Sequence, residues 1–238
     1  MPDQSIALVT GASRGIGRAA AKALAVAGFH VVATARAQNA LEALDDEIRA
    51  ATGQAATLVP LDIKDYDGLD RLGGALYERF GKLDALAACA GVLGDLTPVA
   101  HGRPPMVEDV FAVNVIANQR LIRSMDALLR AAPAGRAVFL SSGVARHPRS
   151  FWGHYAASKA ALETLVITYA QEIAISKAKA NLLNPGATRT AMRAKAFPGE
   201  DPLTLPAPED VAPLIVNMLS PDYAENGALV NYRETISA

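Results

Sequence analysis

Tyr155 and Lys159 stand four apart in the tract YAASK at 155–159, where a helical pattern begins. Residues four apart share one helix face. A free tyrosine has a pKa of about 10, too high for efficient proton transfer at neutral pH. A nearby ammonium favours the phenolate and lowers that value. Bringing it to about 7 takes roughly 4 kcal/mol of differential stabilisation, at about 1.36 kcal/mol per unit. The pair could therefore move a proton to or from an oxygen. Ser142 precedes it, just past a short apolar run. A hydroxyl there could hydrogen-bond a substrate oxygen as charge develops, or simply close a turn, as the adjacent Ser141 could. Tyr-x-x-x-Lys is a common spacing, so its weight comes from its surroundings.

The tract TGASRGIG at 10–17 follows the first apolar run and opens the first helical segment. Glycines allow a tight turn and close backbone approach to a phosphate. The helix start then offers free N–H groups and a positive dipole end to a pyrophosphate. A glycine triplet alone is a weak signal; the strand–loop–helix context is the one a dinucleotide site needs. Enzymes that use NAD place a carboxylate near the end of the second strand, for the ribose 2′-hydroxyl. This chain has Thr34-Ala35-Arg36 there and no carboxylate before Glu42. Arg36 and Arg14 could instead grip a 2′-phosphate, which points to NADP(H). Either arginine alone could equally be a solvated surface charge.

These residues need a scaffold that brings them to one edge. Apolar runs at 5–10, 30–35, 57–61, 85–89, 137–140, 180–183 and 228–231 read as strands. Helical patterns lie at 15–27, 38–51, 65–80, 106–131, 154–175 and 208–219. The strands are continuous apolar runs, the pattern of burial on both faces in a parallel sheet. The alternation predicts an α/β fold: a Rossmann-like, doubly wound parallel sheet of seven strands with helices on both faces. No linker divides the chain, so one domain spans 1–238. Loops at about 93–105, 144–154 and 187–208 follow strands and should border a ligand. Leu93, Phe151, Trp152, Met192 and Phe197 would give that site an apolar lining.

Composition agrees with this reading. Of 238 residues, 51% are hydrophobic, enough for a large core. The net charge of -1, with no basic run, argues against a nucleic-acid partner. No apolar stretch of about 18 residues suggests a membrane span. The tract MPDQS at 1–5 does not look like a signal peptide. A single cysteine, Cys89, excludes an internal disulfide and suits a reducing, cytoplasmic setting. His30, His101, His147 and His154 show no metal-ligand spacing. His147 and His154 flank the loop before Tyr155 and are the two with a place near a pocket.

The chain resembles the short-chain dehydrogenase/reductase family over essentially its whole length. The tracts that carry the resemblance are TGASRGIG at 10–17, LDIKD at 61–65, ACAG at 88–91, NVIAN at 114–118, LSSG at 140–143, YAASK at 155–159 and NPGATRT at 184–190. The resemblance implies hydride transfer between NADP(H) and a small carbonyl or secondary alcohol. Tyr155 would be the acid in reduction and the base in oxidation, helped by a positive nicotinamide ring. Lys159 would lower its pKa and hold the nicotinamide ribose, Ser142 would polarise the carbonyl, and Asn114 would hold a water linked to Lys159. Cofactor contacts would come from Gly11, Ser13, Arg14, Gly15, Ile16, Gly17, Arg36, Asp62, Ile63, Ala90 and Gly91. Tyr155, Lys159, Pro185, Gly186, Thr188 and Thr190 would border the nicotinamide end. Ala88 and Cys89 stand where the family usually has two asparagines, so a hydrogen-bonded tie across the central sheet would be missing, and Cys89 would fill a core position. Members commonly pair the long helices between subunits, so a homodimer or homotetramer is expected. A non-catalytic NADP-sensing protein of the same fold is the alternative, and the complete Ser142–Tyr155–Lys159 set argues against it. A racemase or dehydratase of larger relatives would need an additional substrate-binding segment, for which 238 residues leave little room.

Overall fold

The computed structural model describes residues 4–236. The expected limits 1 and 238, and the first three residues of the polar tract at 1–5, lie outside them. Seven strands form one parallel sheet: β1 Ile6–Thr10, β2 His30–Ala35, β3 Thr57–Pro60, β4 Ala85–Ala88, β5 Arg136–Leu140, β6 Lys179–Asn184 and β7 Leu229–Asn231. Their order is β3-β2-β1-β4-β5-β6-β7, and every pairing is parallel. This is the Rossmann-like doubly wound α/β fold the sequence predicts. The order reverses between β1 and β4, and ligands of such sheets bind at the carboxyl ends beside that reversal.

Period-two alternation sends successive strand residues to opposite faces. On one face Leu8, Leu86, Phe139 and Leu182 form a core with Leu69, Leu121, Met125, Leu162 and Val166. The last five come from helices α3 (Tyr66–Phe80), α5 (Ala117–Ala131) and α6 (Gly153–Glu172). On the other face Ala7, Val9, Val31, Ala87, Val138 and Leu183 meet Leu24, Leu41, Leu44 and Ile215. Those belong to α1 (Gly15–Val26), α2 (Gln38–Thr52) and α8 (Pro208–Met218). Burial of both sheet faces is why the strands read as unbroken apolar runs.

The single helix expected over 106–131 is in fact broken. α4 (Pro104–Phe111) leads into one π-helical turn, Ala112–Ile116, before α5 continues. The widened turn carries Asn114, which is wholly buried. Single π turns inside α-helices recur at functional sites. The span expected as loop at 187–208 holds a short helix, α7 (Ala191–Ala196).

Candidate active site

The carboxyl ends of β1, β2, β4, β5 and β6 surround a cavity of about 890 Å³. Its wall contains Gly11, Ser13, Arg14, Gly15, Ile16, Gly17, Arg36, Asp62, Ile63, Ala90 and Gly91. At the far end it contains Tyr155, Lys159, Pro185 and Thr190. Residues more than a hundred positions apart thus meet in one space, of a size that suits a cofactor.

Two positions of the glycine loop cannot carry side chains. Gly11 adopts φ +67, and a Cβ on it would lie 2.9 Å from the Ala90 Cα. A Cβ on Gly17 would collide with the backbone oxygen of Gly11 and also press on the Cys89 side chain. The start of α1 therefore stays open toward the cavity, with no acidic residue in its first turn. Neither Arg14 nor Arg36 has an ion pair or side-chain hydrogen bond among the described residues. Thr34, also in the wall, keeps a buried hydroxyl without a hydrogen-bond partner. Free guanidinium groups, bare helix N–H groups and an orphaned hydroxyl all fit a phosphorylated dinucleotide.

At the other end the Lys159 Nζ donates to the Leu140 carbonyl at 2.8 Å and lies 5.8 Å from the centre of the Tyr155 ring. Asn114 does not reach the cavity wall. Its Nδ2 donates to the Val92 carbonyl at 2.9 Å and the Ser158 hydroxyl at 3.0 Å, and its Oδ1 accepts from the Val92 N–H at 2.9 Å. Ser142 also stands back from the wall, where Ser141 takes its place, yet its hydroxyl is near enough to the Tyr155 phenol to favour the phenolate. Gly186 and Thr188 lie outside the lining; the Thr188 hydroxyl turns inward and donates to the Pro185 carbonyl at 3.1 Å. Leu93 and Met192 line the cavity as expected, but Phe151, Trp152 and Phe197 do not. His147 and His154 are not in the wall either, and the His154 Nε2 is buried against Gly102.

The loops expected to border the ligand are tied to one another. The Lys195 Nζ donates to the Gly94 carbonyl at 2.7 Å, and Asp95 pairs with Arg103 at 3.0 Å. The Thr97 N–H donates to the Phe151 carbonyl at 3.0 Å.

A family model described as short chain dehydrogenase matches residues 5–201. The chain belongs to the short-chain dehydrogenase family. It is 39% identical over 219 residues to YciK of Escherichia coli (strain K12), described as an uncharacterized oxidoreductase, covering 91% of this chain and 86% of that one. It superposes on a short chain dehydrogenase from Shigella flexneri 2a complexed with NADP, with a TM-score of 0.92, 36% identity and 98% of each chain covered. A short chain dehydrogenase from Escherichia coli CFT073 complexed with NADPH gives the same TM-score, identity and coverage. Among the described residues of this dehydrogenase, no helix is long and apolar enough to cross a membrane.

Electrostatics of the site reverse one expectation. Burial pushes the Tyr155 phenol up to about 12, opposed by the nearby Ser142 hydroxyl. Burial also brings the Lys159 ammonium down to about 8, opposed by Cys89 and Glu163. In the protein alone the phenol is therefore raised, not lowered. Desolvation is the dominant influence, and the Lys159 ammonium gives one of its three N–H groups to Leu140. Cys89 packs against the α1 side of the core while bordering the cavity, and burial raises its thiol to about 12. The tie that asparagines would give at 88–89 is partly replaced by the Thr10 hydroxyl, which accepts from the Ala90 N–H at 3.2 Å.

Sequence reading missed Glu163 and Ser158. Glu163 is buried, accepts from the Ser141 hydroxyl and pairs with Arg146 at 2.8 Å, fixing the strand end that carries Ser142. The signal was present: Tyr155, Lys159 and Glu163 are each four apart, on one face of α6. Ser158 accepts from Asn114 and donates to the Tyr155 carbonyl at 2.7 Å, so two hydrogen bonds join Asn114 to the backbone that carries the tyrosine.

Proposed function

We propose that this dehydrogenase transfers a hydride between NADP(H) and a small carbonyl or secondary alcohol. The observation that carries this reading is the meeting of Tyr155 and Lys159, on one face of α6, with the bare glycine loop in a single cavity. The relatives complexed with NADP and NADPH support the choice of cofactor, as do Arg14 and Arg36. Those two guanidinium groups would clamp the 2′-phosphate, and Asp62 with Ile63 would flank the adenine. Thr188 would act from behind Pro185, which with Gly186 and Thr190 would border the carboxamide.

When bound, the cofactor supplies the hydride and, once oxidised, a positive ring that favours the phenolate. Ser142 would donate to the substrate oxygen. Tyr155 would give that oxygen its proton in reduction and take it back in oxidation. Lys159 would hold ribose hydroxyls and offset the burial that raises the phenol. A Cβ on Gly91 would lie 3.4 Å from the Asn114 Oδ1 and 3.5 Å from the Lys159 Nζ, so the missing side chain leaves a gap with polar atoms on both sides. A water there would link Lys159 to Asn114. Leu93, Met106 and Met192 would face an apolar substrate body.

A homodimer or homotetramer in the cytoplasm completes the proposal. The outer face of α6 carries Ala157, Ala161, Thr164 and Thr168, small enough for close helix pairing. The test is NADPH consumption with a panel of ketones and aldehydes. Turnover with NADPH exceeding that with NADH is expected; failure to bind NADPH would overturn the reading.

A further inference from the structure

Trp152 and Phe197 do not line the cavity, although aromatic side chains in such loops would ordinarily contact substrate. They stack behind the tyrosine instead. The Trp152 ring meets Tyr155 edge-on, with centroids 6.1 Å apart and planes at 65°. Phe197 covers Trp152 at 5.7 Å. The Arg193 guanidinium lies 3.7 Å from the centre of the Phe197 ring and is held by Glu200 through two hydrogen bonds of 2.6 Å. An unbroken file of contacts thus runs from the segment after β6 to the phenol.

The backbone before Trp152 is strained to make this file. Phe151 has φ +72, the single positive value outside glycine among the described residues, and the residue is 56% exposed. A bulky residue held in that region persists where its surroundings dictate it, and such positions cluster at functional sites. Phe151 gains no burial from the strain, but the Thr97 N–H grips its carbonyl, and the next residue, Trp152, packs on Tyr155.

We propose that Trp152 and Phe197 are positioning residues that hold the Tyr155 ring, and that the Arg193–Glu200 clasp couples the 191–205 segment to the tyrosine. The inference rests on the tyrosine-centred reading above. Aromatic pairs prefer tilted and edge-on geometry, which restricts the ring more than aliphatic packing does. The file also excludes water from one side of the phenol, while Lys159 and the Ser142 hydroxyl are the polar groups at its other side. Because segment 191–205 also contributes Met192 and Lys195 to the cavity wall, its position and that of Tyr155 move together.

The chain has one tryptophan, so intrinsic fluorescence reports on Trp152 alone. The experiment compares Phe197→Leu, Arg193→Gln, Trp152→Leu and Trp152→Phe with wild type. Phe197→Leu and Arg193→Gln should red-shift the emission as water reaches the indole. Trp152→Leu and Phe197→Leu should lower kcat roughly twofold to tenfold, leave NADPH affinity unchanged, and be rescued toward wild type in Trp152→Phe. Reduction is lost as pH rises through the phenol pKa. A phenol opened to water should titrate lower, moving that limb down by about half a unit to one unit. A purely structural role would reduce the amount of folded enzyme and leave the limb in place. Unchanged emission in Phe197→Leu, or an unchanged pH limb with unchanged kcat, overturns the proposal. If Trp152→Leu does not fold, Phe197→Leu decides alone. If Tyr155→Phe keeps full activity, the tyrosine-centred reading itself falls; if it is inactive while these variants behave as wild type, only the coupling falls.

Discussion

The Lys159 ammonium lies 5.8 Å from the centre of the Tyr155 ring, one helical turn along α6, and donates one of its three N–H groups to the Leu140 carbonyl at 2.8 Å. Burial acts on the two groups in opposite directions, bringing Lys159 down to about 8 and Tyr155 up to about 12. Both shifts disfavour charge, which is what a site closed to water does to an acid and a base alike. The pair is poised for a ligand that brings its own charge and hydrogen-bond partners.

The Lys159 shift makes folding stability depend on pH. Its pKa is about 8 in the folded protein against an ordinary value of 10.5. Below pH 8 the amine is protonated in both states, and the folded state bears the penalty of burying the charge. Between about 8 and 10.5 the unfolded state binds more protons, so the Lys159 contribution to stability rises with pH. Tyr155 works against it above its ordinary value of 10.0. The melting temperature of the wild type, relative to Lys159→Met, should therefore rise from pH 7.5 to about 9.5. A constant difference would show that the amine is not desolvated.

Asn114 uses three hydrogen bonds to join the π turn to Val92 and Ser158. Asn114→Ala leaves buried partners unsatisfied, at about 1–3 kcal/mol for each group. Thermal or urea unfolding should show the loss, together with lower kcat through Ser158 and the Tyr155 backbone. Wild-type stability would contradict the geometry.

Gly17→Ala places a methyl group against the backbone of Gly11, which a flexible side chain could avoid but a peptide group cannot. The loop must open, and the phosphate cradle with it. Overpacking of this kind costs about 1–3 kcal/mol. NADPH binding followed by fluorescence should weaken roughly tenfold or more, and unchanged affinity would show that the loop is not the cofactor cradle.

Arg36→Asp should invert cofactor choice. A charge-assisted hydrogen bond contributes about 1.5–3 kcal/mol, so NADPH affinity should fall roughly tenfold to hundredfold. NADH, which lacks the 2′-phosphate, should gain from the new carboxylate. Equal loss for both cofactors would mean that Arg36 serves the fold.

Much of this architecture is written in short-range pattern. Ile6–Thr10 reads as a buried strand because every residue in it is buried, and TGASRGIG announces its loop because only glycine fits at 11 and 17. Other features depend on contacts that no local pattern records. Nothing in the sequence around Asn114 distinguishes a π turn from a continuous helix; the turn exists because its amide finds Val92 and Ser158 from elsewhere in the chain. Trp152 and Phe197 look like substrate-facing residues in sequence, but Trp152, next to the positive-φ residue Phe151, packs against Tyr155, and Phe197 reaches it from a segment 45 residues on. The pKa of Tyr155 is likewise illegible: the lysine four residues on is visible in YAASK, but the desolvation that raises the phenol is a property of the closed site.

The most direct measurement is the turnover of Tyr155→Phe alongside its NADPH affinity. The phenol's hydroxyl is the one group the substitution removes, since the ring remains to pack against Trp152. With a carbonyl substrate that the wild type reduces, the rate should fall by about a hundredfold to ten-thousandfold. NADPH should bind as tightly as before. A variant that keeps the wild-type rate would contradict the assignment of Tyr155 as the proton donor.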